Sequence, residues 1–518
     1  MKRFLPAFLL TLILCTMGLH MLIFPFGRDQ GIYSYGGWRM LYGEIPYKDF
    51  WDFKPPLIFP IYSLAIAVFG HNMWGIRLFD LIIQTITALL CGWLALLLFN
   101  KRSVFFIASL IYGLIYFAED YWHTAQSDGF ATIFVLAALA IVLRWNKNFL
   151  SFFLSGLLIG LAFWLKYSLV IFGLPIVLAI WLKGDFNIKK IFKLGIAWAL
   201  GLSITVATGL LYFRLTGSWN DFVLTEFELA KRYSTITPLY VNLHKALGDF
   251  SSFKWPEHGG PLLWTLALLG FLFASKKDAI FNLILAALSS LHIAIQGKLF
   301  PYHFWPLVGV MAPIAAFGLV KIWEFLYGKN RTGIAVVLLL VLLLALRPIK
   351  QNADHDVRLA NVILNKTSLL KTYFEQGGQW GEDFCFMVSW QAAQFLKDNV
   401  KPDESFYIWG FEPIIYYLAE RKCPSRFIYN VPLFGALEVD SFRGELMSAL
   451  NSHMPKYIIV VSGDSMGSVR GVPEDSNEGL LKFPELKDFI EENYYKTVRI
   501  EDFTFYEVFD VLKPQKQL

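Results

Sequence analysis

Residues 55–70 read PPLIFPIYSLAIAVFG, and whether this apolar stretch crosses a membrane decides the topology of the whole chain. As a helix rising about 1.5 Å per residue, it spans only about 24 Å, less than a hydrocarbon core of about 30 Å. If it crossed, every later basic loop would lie on the opposite side of the membrane. We therefore expect it to lie in the interface, as a juxtamembrane helix.

The composition makes lipid the solvent for much of the chain. The sequence has 518 residues, of which 56% are hydrophobic and 17% charged, and its mean hydropathy is +0.49. In soluble proteins about a quarter of the residues are charged. A chain this apolar cannot bury all of its hydrophobic surface in its own core. The net charge of +5 is scattered among loops, which argues against nucleic acid as a partner.

Apolar runs of about 20 residues predict a polytopic α-helical membrane protein with about eleven transmembrane helices. The runs are 4–26, 73–99, 103–118, 126–143, 149–165, 168–182, 191–213, 260–275, 279–297, 303–326 and 332–347. The first run is too long for a signal peptide and lacks a small-x-small cleavage site, so we interpret it as a retained helix.

Basic residues set the predicted orientation. One set of loops carries Lys2/Arg3, Lys101/Arg102, Arg144/Lys147, Lys183/Lys189/Lys190/Lys193, Lys276/Lys277 and Lys329/Arg331. The short loops 119–127, 164–168 and 298–302 carry only Lys166 and Lys298. The positive-inside rule places the first set in the cytoplasm. The stretches 27–56, 119–127, 214–258 and everything after about 348 then lie outside.

The C-terminal tail has a different composition and predicts a small α/β soluble domain of about 150 residues, with a parallel sheet. Strand-like runs at 405–410, 426–430 and 456–461 alternate with helix-like runs at 412–420, 439–453 and 483–494, and the last stretch, KTVRIEDFTFYEVF, is typical of a hairpin. Cys385 and Cys423 lie in this tail. Their spacing leaves open whether they pair.

Ionisable residues at the ends of apolar helices indicate function, because they are costly in a membrane. Four clusters fall on the predicted outer side. They contain Asp29, Asp49, Asp52 and Lys54; Glu119, Asp120, His123 and Asp128; Lys166; and Lys298, Tyr302 and His303. Carboxylates beside cations at a lipid surface suit sugar transfer from a lipid phosphate. A carboxylate accepts the proton of the attacking hydroxyl, while cations stabilise the departing phosphate.

The order of these motifs resembles the GT-C superfamily of polyprenyl-phosphate-sugar glycosyltransferases, near its protein O-mannosyltransferase and aminoarabinose-transferase-like branch. An acid follows the first helix (Asp29), a KPPL motif (54–57) precedes the interfacial helix, and AQSDGF places Asp128 at a helix start. The segments GLAFWLK, ending in Lys166, and KLFPYHFWPL (298–307) complete the match.

The resemblance implies a GT-C-like transmembrane domain over 1–348, with a catalytic loop at 27–72, and an extracytoplasmic domain over 349–518. It implies two catalytic acids, Asp29 as the base and Asp128 as an acid that positions the acceptor or a cation. Lys54, Lys166, Lys298, Tyr302 and His303 are then the candidate ligands of the donor phosphate. Glu119 and Asp120 are candidates for positioning the acceptor or a metal ion.

Two positions depart from the family pattern. Gln30 replaces the second acid that many members carry after the first helix, and Ile32 stands where the aminoarabinose-transferase branch has an arginine. Phosphate binding by this loop would then need Arg28 or Arg39.

The sequence thus predicts an inverting enzyme of the bacterial plasma (inner) membrane. Its partners would be membrane lipids, a polyprenyl-phosphate sugar as donor, and a lipid, glycan or protein as acceptor. No cofactor is required, although a divalent metal ion stays open. The alternatives are a transporter or flippase of a lipid-linked substrate, and a scaffold whose tail binds glycan or protein. A transporter is expected to show internal repeats or charged, broken helices at mid-membrane, whereas this chain keeps its charges near helix ends.

Overall fold

A computed structural model describes residues 5–145, 148–182, 188–238, 240–241, 244–245, 259–327, 331–378 and 384–508. The helices of its first half are α1 (Leu5–Met17), α2 (Arg28–Met40), α3 (Ile58–Phe69), α4 (Met73–Phe99), α5 (Arg102–Phe117), α6 (Ser127–Arg144), α7 (Phe149–Leu165), α8 (Gly173–Leu182), α9 (Ile188–Leu215), α10 (Trp219–Val223) and α11 (Ala230–Thr235). A π-helical turn, Leu224–Leu229, joins α10 to α11, and short 3₁₀ turns occupy Leu19–Ile23 and Tyr167–Phe172.

The second half continues with helices and then a sheet. The helices are α12 (Gly260–Phe273), α13 (Lys276–Ile295), α14 (Trp305–Leu326), α15 (Arg331–Ile363), α16 (Leu369–Gln376), α17 (Phe386–Asn399), α18 (Ile414–Ala419), α19 (Asp440–Ser452), α20 (Gly467–Arg470), α21 (Ser476–Leu480) and α22 (Pro484–Asn493). The strands are β1 (Phe406–Trp409), β2 (Tyr457–Val461), β3 (Tyr494–Ile500) and β4 (Phe503–Val508). Two further 3₁₀ turns lie at Pro301–Phe304 and Val431–Leu433.

Seven helices in the described ranges are long and apolar enough to cross a membrane. They are Leu5–Ile23, Met73–Phe99, Ser127–Arg144, Lys189–Leu215, Lys276–Ile295, Pro301–Leu326 and Thr332–Ile363. The other predicted spans coincide with shorter apolar helices, so a count of eleven stays a prediction. Leucines of α15, such as Leu339 and Leu340, are more than half exposed. Such an apolar surface needs lipid to cover it, and the chain is a multi-pass membrane protein.

The apolar stretch 55–70 forms helix α3, whose 12 residues reach only about 18 Å. This length is too short to cross a bilayer. Helix α3 packs against α2, where a Cβ on Gly37 would lie 2.7 Å from the Ser63 backbone nitrogen. The Tyr62 hydroxyl donates to the Ala125 carbonyl at 2.7 Å. An interfacial position for α3 therefore remains our interpretation of its length.

The segments predicted to share one side of the membrane do contact each other. Gln30 donates to the carbonyl of Tyr121, in the loop before α6. Tyr47 contacts Glu226 at 2.8 Å, and Trp51 N donates to the Arg426 carbonyl at 2.7 Å. One end of the helical bundle therefore gathers the loops and the tail.

The C-terminal sheet has four strands in the order β1-β2-β4-β3. Strands β1 and β2 are parallel, whereas β4 pairs antiparallel with both β2 and β3. The prediction of a parallel sheet is therefore right for one pair only, because the predicted terminal hairpin adds antiparallel strands beside β2. The predicted helices at 412–420, 439–453 and 483–494 are present as α18, α19 and α22.

The strand predicted at 426–430 is absent. This segment is irregular, and its backbone bonds go elsewhere: the Arg426 carbonyl accepts from Trp51 N, and Asn430 N donates to the Gly410 carbonyl. The segment thus bonds at one end to the loop before α3 and at the other to the residue after β1, and adds no strand to the sheet. Cys385 and Cys423 are both free thiols.

Candidate active site

Helix α2 begins at the residues that position Asp29. The Gly27 backbone N–H donates to Gln30 Oε1 at 3.0 Å, which closes the first turn. The Gln30 amide donates to the carbonyls of Tyr121 and Thr124, each at 2.9 Å. Gln30, which replaces an expected acid, thus ties α2 to the next loop. Asp29 lies in this first turn, where the helix dipole favours a carboxylate.

Lys54 lies beside Asp29. Its ammonium nitrogen is 3.4 Å from Asp29 Oδ1 and donates to the Tyr33 hydroxyl at 3.1 Å. The amide of Gln126 donates to the other oxygen, Asp29 Oδ2, at 3.3 Å. Both carboxylate oxygens therefore have a partner, while the Asp29 side chain keeps 20% of its surface exposed. Asp29 is oriented and still accessible.

The charge on Lys54 is held by its neighbours. Burial alone lowers the pKa of Lys54, but Asp29, Tyr302 and Asp52 outweigh it and raise that pKa above its ordinary value. Burial raises the pKa of Asp52 to about 6, against the influence of Lys54 and of the Tyr429 hydroxyl, which donates to Asp52 at 2.6 Å. Lys54 is thus a fixed cation.

A cavity of about 180 Å³ opens next to this pair. Three lysines line it: Lys54, Lys166 and Lys298. Lys54 lies in the loop before α3, Lys166 follows α7, and Lys298 follows α13. Its other lining residues are Phe53, Pro55, Tyr167, Ser168, Glu226, Ala230, Tyr233, Ser234, Ile295, Gln296, Phe300, Tyr302 and His303. Aromatic walls with three cations suit an anion that carries an apolar or sugar group.

Lys166 is fixed from behind by Asp128. The Lys166 ammonium nitrogen lies 3.3 Å from Asp128 Oδ2 and donates to Gln296 Oε1 at 2.8 Å. Asp128 is fully buried, and its Oδ1 lies 3.1 Å from His292 Nε2. His292 Nδ1 is 2.8 Å from the Ser168 hydroxyl, at the cavity wall. Lys166 is therefore the ionic partner of Asp128, which lies one layer behind the cavity wall.

Lys298 joins the cavity to the tail. Its ammonium group donates to the Ser468 carbonyl and lies 4.7 Å from the centre of the Tyr233 ring. Burial lowers the pKa of Lys298 to about 8, with a smaller contribution from Lys245. The Lys298 carbonyl contacts His303 Nδ1 at 2.8 Å. Lys298, which lines the cavity, is thus also held by the tail.

The structure brings some of the candidate residues together and leaves others apart. Lys54, Lys166, Lys298, Tyr302 and His303 all line the cavity. Asp29 contacts it through Lys54, and Asp128 through Lys166.

Glu119 and Asp120 do not line this cavity. Asp120 Oδ1 accepts from the Trp122 backbone N–H at 2.8 Å, and Glu119 is buried. Across the described ranges, no three His, Cys, Asp or Glu side chains gather as metal ligands, so these two acids and Asp128 do not form one metal site there.

The two arginines considered as phosphate ligands are used elsewhere. Arg28 pairs with Glu412 of the tail at 2.8 Å, and Arg39 pairs with Glu44 at 2.8 Å. Neither lines the cavity.

Sequence reasoning missed Glu226 and Tyr233, which both line the cavity. They lie in and after the π-helical turn Leu224–Leu229, within the stretch 214–258, for which the sequence predicts an external position and no role. An acid in an apolar, aromatic segment between two membrane helices was the available signal.

Comparison with known proteins shows what this chain is similar to. The family model for dolichyl-phosphate-mannose-protein mannosyltransferases matches residues 53–212, which include Lys54, Asp128 and Lys166. A search of curated proteins finds no match to the chain.

Solved structures share the fold at low sequence identity. ArnT from Cupriavidus metallidurans in the apo state matches with a TM-score of 0.60 and 13% identity, over 98% of this chain and 98% of that one. The same protein bound to undecaprenyl phosphate matches with a TM-score of 0.59 and 13% identity, over 99% and 100%. The archaeal oligosaccharyltransferase AglB from Archaeoglobus fulgidus, in complex with an inhibitory peptide and a dolichol-phosphate, matches with a TM-score of 0.52 and 13% identity, over 98% and 74%.

The family model rests on sequence and the solved structures on fold, and both lead to the same group of enzymes. The chain is thus similar to GT-C glycosyltransferases, in sequence over residues 53–212 and in fold over nearly its whole length.

Proposed function

We propose that the chain is an inverting glycosyltransferase that moves a sugar from a polyprenyl phosphate to a hydroxyl group of a lipid, glycan or protein acceptor. The reaction would take place at the outer face of a bacterial plasma membrane. The observation that carries the proposal is the contact of Asp29 with Lys54, 3.4 Å apart, at the wall of a cavity with three lysines. The relatives solved with undecaprenyl phosphate and dolichol-phosphate support a donor of this class.

Lys54, Lys166 and Lys298 are assigned to the donor phosphate. As the bond between the anomeric carbon and the phosphate oxygen breaks, its electron pair stays on the phosphate and negative charge grows there. Cations fixed in a site of low dielectric stabilise that charge without reorganising. Asp128 acts through Lys166, whose ammonium group it holds at the cavity wall, and is in this sense a positioning residue.

Asp29 is assigned to the acceptor. Its carboxylate would take the proton from the acceptor hydroxyl while that oxygen bonds to the anomeric carbon. The polyprenyl phosphate leaves from the opposite face, and the configuration at this carbon inverts. Lys54 contacts Asp29 and lines the cavity, so it links the base to the leaving group.

The first experiment is Asp29→Asn, assayed for transfer from a labelled polyprenyl-phosphate sugar by the purified chain. We expect transfer to fall by about 10²–10⁴-fold, the usual contribution of a general base. Asp49→Asn is the matched control, because Asp49 lies in the loop that follows α2 and accepts from the Ile45 backbone N–H at 2.8 Å. Full transfer by the Asp29 variant, at normal expression, would exclude this carboxylate as the base.

A second experiment separates binding from chemistry. Lys54→Ala is expected to raise the donor concentration needed for half-maximal transfer, with partial rescue by excess donor. Lys48→Ala is the control, since Lys48 lies in the same loop and is exposed. An unchanged donor dependence in the Lys54 variant contradicts the phosphate role. Repeating the assay with a chelator decides whether a divalent ion takes part.

A further inference from the structure

Glu226 is an acid in a cavity otherwise equipped to hold an anion. It lies in the π-helical turn Leu224–Leu229, is 6% exposed and lines the cavity with Lys54, Lys166 and Lys298. No other Asp or Glu is among the described residues of the cavity wall. An ionised Glu226 would cancel part of the positive charge that the lysines supply.

The hydrogen bonds of Tyr47 determine where the proton of Glu226 lies. The Tyr47 hydroxyl is 2.8 Å from the Lys54 carbonyl oxygen and 2.8 Å from Glu226 Oε1. A hydroxyl has one proton to donate, and a backbone carbonyl only accepts. Both short contacts are hydrogen bonds at the same time only if the Tyr47 proton goes to the Lys54 carbonyl and a protonated Glu226 donates to the Tyr47 oxygen. An ionised Glu226 would compete with the carbonyl for the single Tyr47 proton.

The surroundings of Glu226 favour its neutral form. Burial, with a smaller contribution from Asp52, raises the pKa of Glu226 to about 8, although hydrogen bonds from Tyr47 and Tyr167 and the charge of Lys166 oppose the rise. In the described part of the chain, neither Glu226 Oε2 nor the Tyr167 hydroxyl has a hydrogen-bond partner of good geometry. The contact between the Tyr167 hydroxyl and Glu226 is therefore too poorly aligned to satisfy a second carboxylate oxygen fully. A carboxylic acid tolerates this arrangement better than a carboxylate does.

We propose that Glu226 works as an uncharged carboxylic acid that positions Lys54 through Tyr47 and leaves the charge of the cavity lysines intact for an anionic donor. The second part rests on the proposed function. When Glu226 ionises, the Tyr47 proton turns to the carboxylate, the Lys54 carbonyl loses its donor, and a negative charge faces the donor phosphate. The affinity of the cavity for an anionic donor then falls at alkaline pH, because this one proton is lost.

The protonation state is tested by infrared difference spectroscopy on the purified full chain, wild type against Glu226→Gln. We expect the carbonyl band of a protonated carboxylic acid at pH 7, disappearing as the pH passes about 8. Glu228→Gln is the matched control, because Glu228 lies in the same turn and is exposed; it should leave the band unchanged. If the wild type has no such band at pH 7, or if Glu226→Gln keeps it, the proposal is overturned, whatever reaction the protein catalyses.

The consequence for the donor is tested by polyprenyl phosphate binding between pH 7 and 9.5. Lys298 also titrates near pH 8, so all variants carry Lys298→Arg, which keeps its charge throughout this range. With Glu226 present, affinity should fall by about tenfold, the effect of one charge at moderate distance. With Glu226→Gln it should stay level. A tenfold fall in both variants refutes the role of Glu226. If the infrared band is present but no variant binds polyprenyl phosphate at pH 7, the donor assignment fails and the protonated state of Glu226 stands.

Discussion

Removing the Arg28 side chain should release the start of α2, which carries Asp29, from the tail. Arg28 and Glu412 are each 2% exposed. Arg28 Nε donates to the Phe411 carbonyl at 3.0 Å and to Glu412 Oε1 at 2.9 Å, and a second guanidinium nitrogen reaches the same carboxylate at 2.8 Å. Arg28→Met therefore leaves a buried carboxylate without its cation, which costs about 3–5 kcal/mol. We expect reduced stability and slower transfer together.

The comparison needs a full double-mutant cycle of Arg28→Met and Glu412→Met. Removing both charged groups destabilises the fold less than removing one of them, so the coupling free energy should exceed about 1 kcal/mol. Denaturant unfolding in detergent measures stability, and transfer of labelled sugar measures activity. The pH should be 8, because burial, opposed by Arg28, raises the pKa of Glu412 to about 7. Additive single effects below about 0.5 kcal/mol, with transfer unchanged, would refute this account of how the tail holds α2.

Three further outcomes follow from the same contacts. In the folded chain the pKa of Asp52 is raised from 3.8 to about 6. Its contribution to the free energy of unfolding, about 3 kcal/mol, is therefore fully present below pH 4 and is lost as the pH rises through 6. A pH series of unfolding should show this fall in the wild type and not in Asp52→Asn. Gly31→Val should reduce expression and thermal stability, because a Cβ at Gly31 would lie 2.7 Å from Ile414 Cβ, and a variant as stable as the wild type contradicts this close packing. Truncation before residue 384 should abolish transfer, since it removes the partners of α2; retained transfer would confine function to the membrane part.

The sequence alone predicts that the cavity lysines lie on the same side of the membrane. Lys54, Lys166 and Lys298 lie in three loops far apart in the chain, but the parity of the apolar runs assigns all three to one side of the membrane. This assignment depends on an interfacial position for residues 55–70. If this segment crossed the membrane, Lys166 and Lys298 would be assigned to the side opposite Lys54.

Other parts of the site depend on tertiary contacts that no local pattern encodes. Glu226 has no motif, and its environment comes from Tyr47, 179 positions away in the chain. The segment 426–430 has the aromatic and β-branched composition of a strand, yet its Arg426 carbonyl pairs with Trp51. Strand propensity reflects packing on a pleated surface, and here a loop supplies the packing instead.

The length of helix α15 sets how far the tail lies from the start of that helix. Its 33 residues are roughly 50 Å long, while a hydrocarbon core is about 30 Å thick. Asn352 donates to the Leu114 carbonyl at 3.0 Å, and Asp356 lies 2.9 Å from His20, so this part of α15 is held against α5 and against the 3₁₀ turn Leu19–Ile23. The helix is a spacer of fixed length, and inserting one turn into it would lift the tail by about 5 Å and draw Ser468 away from Lys298.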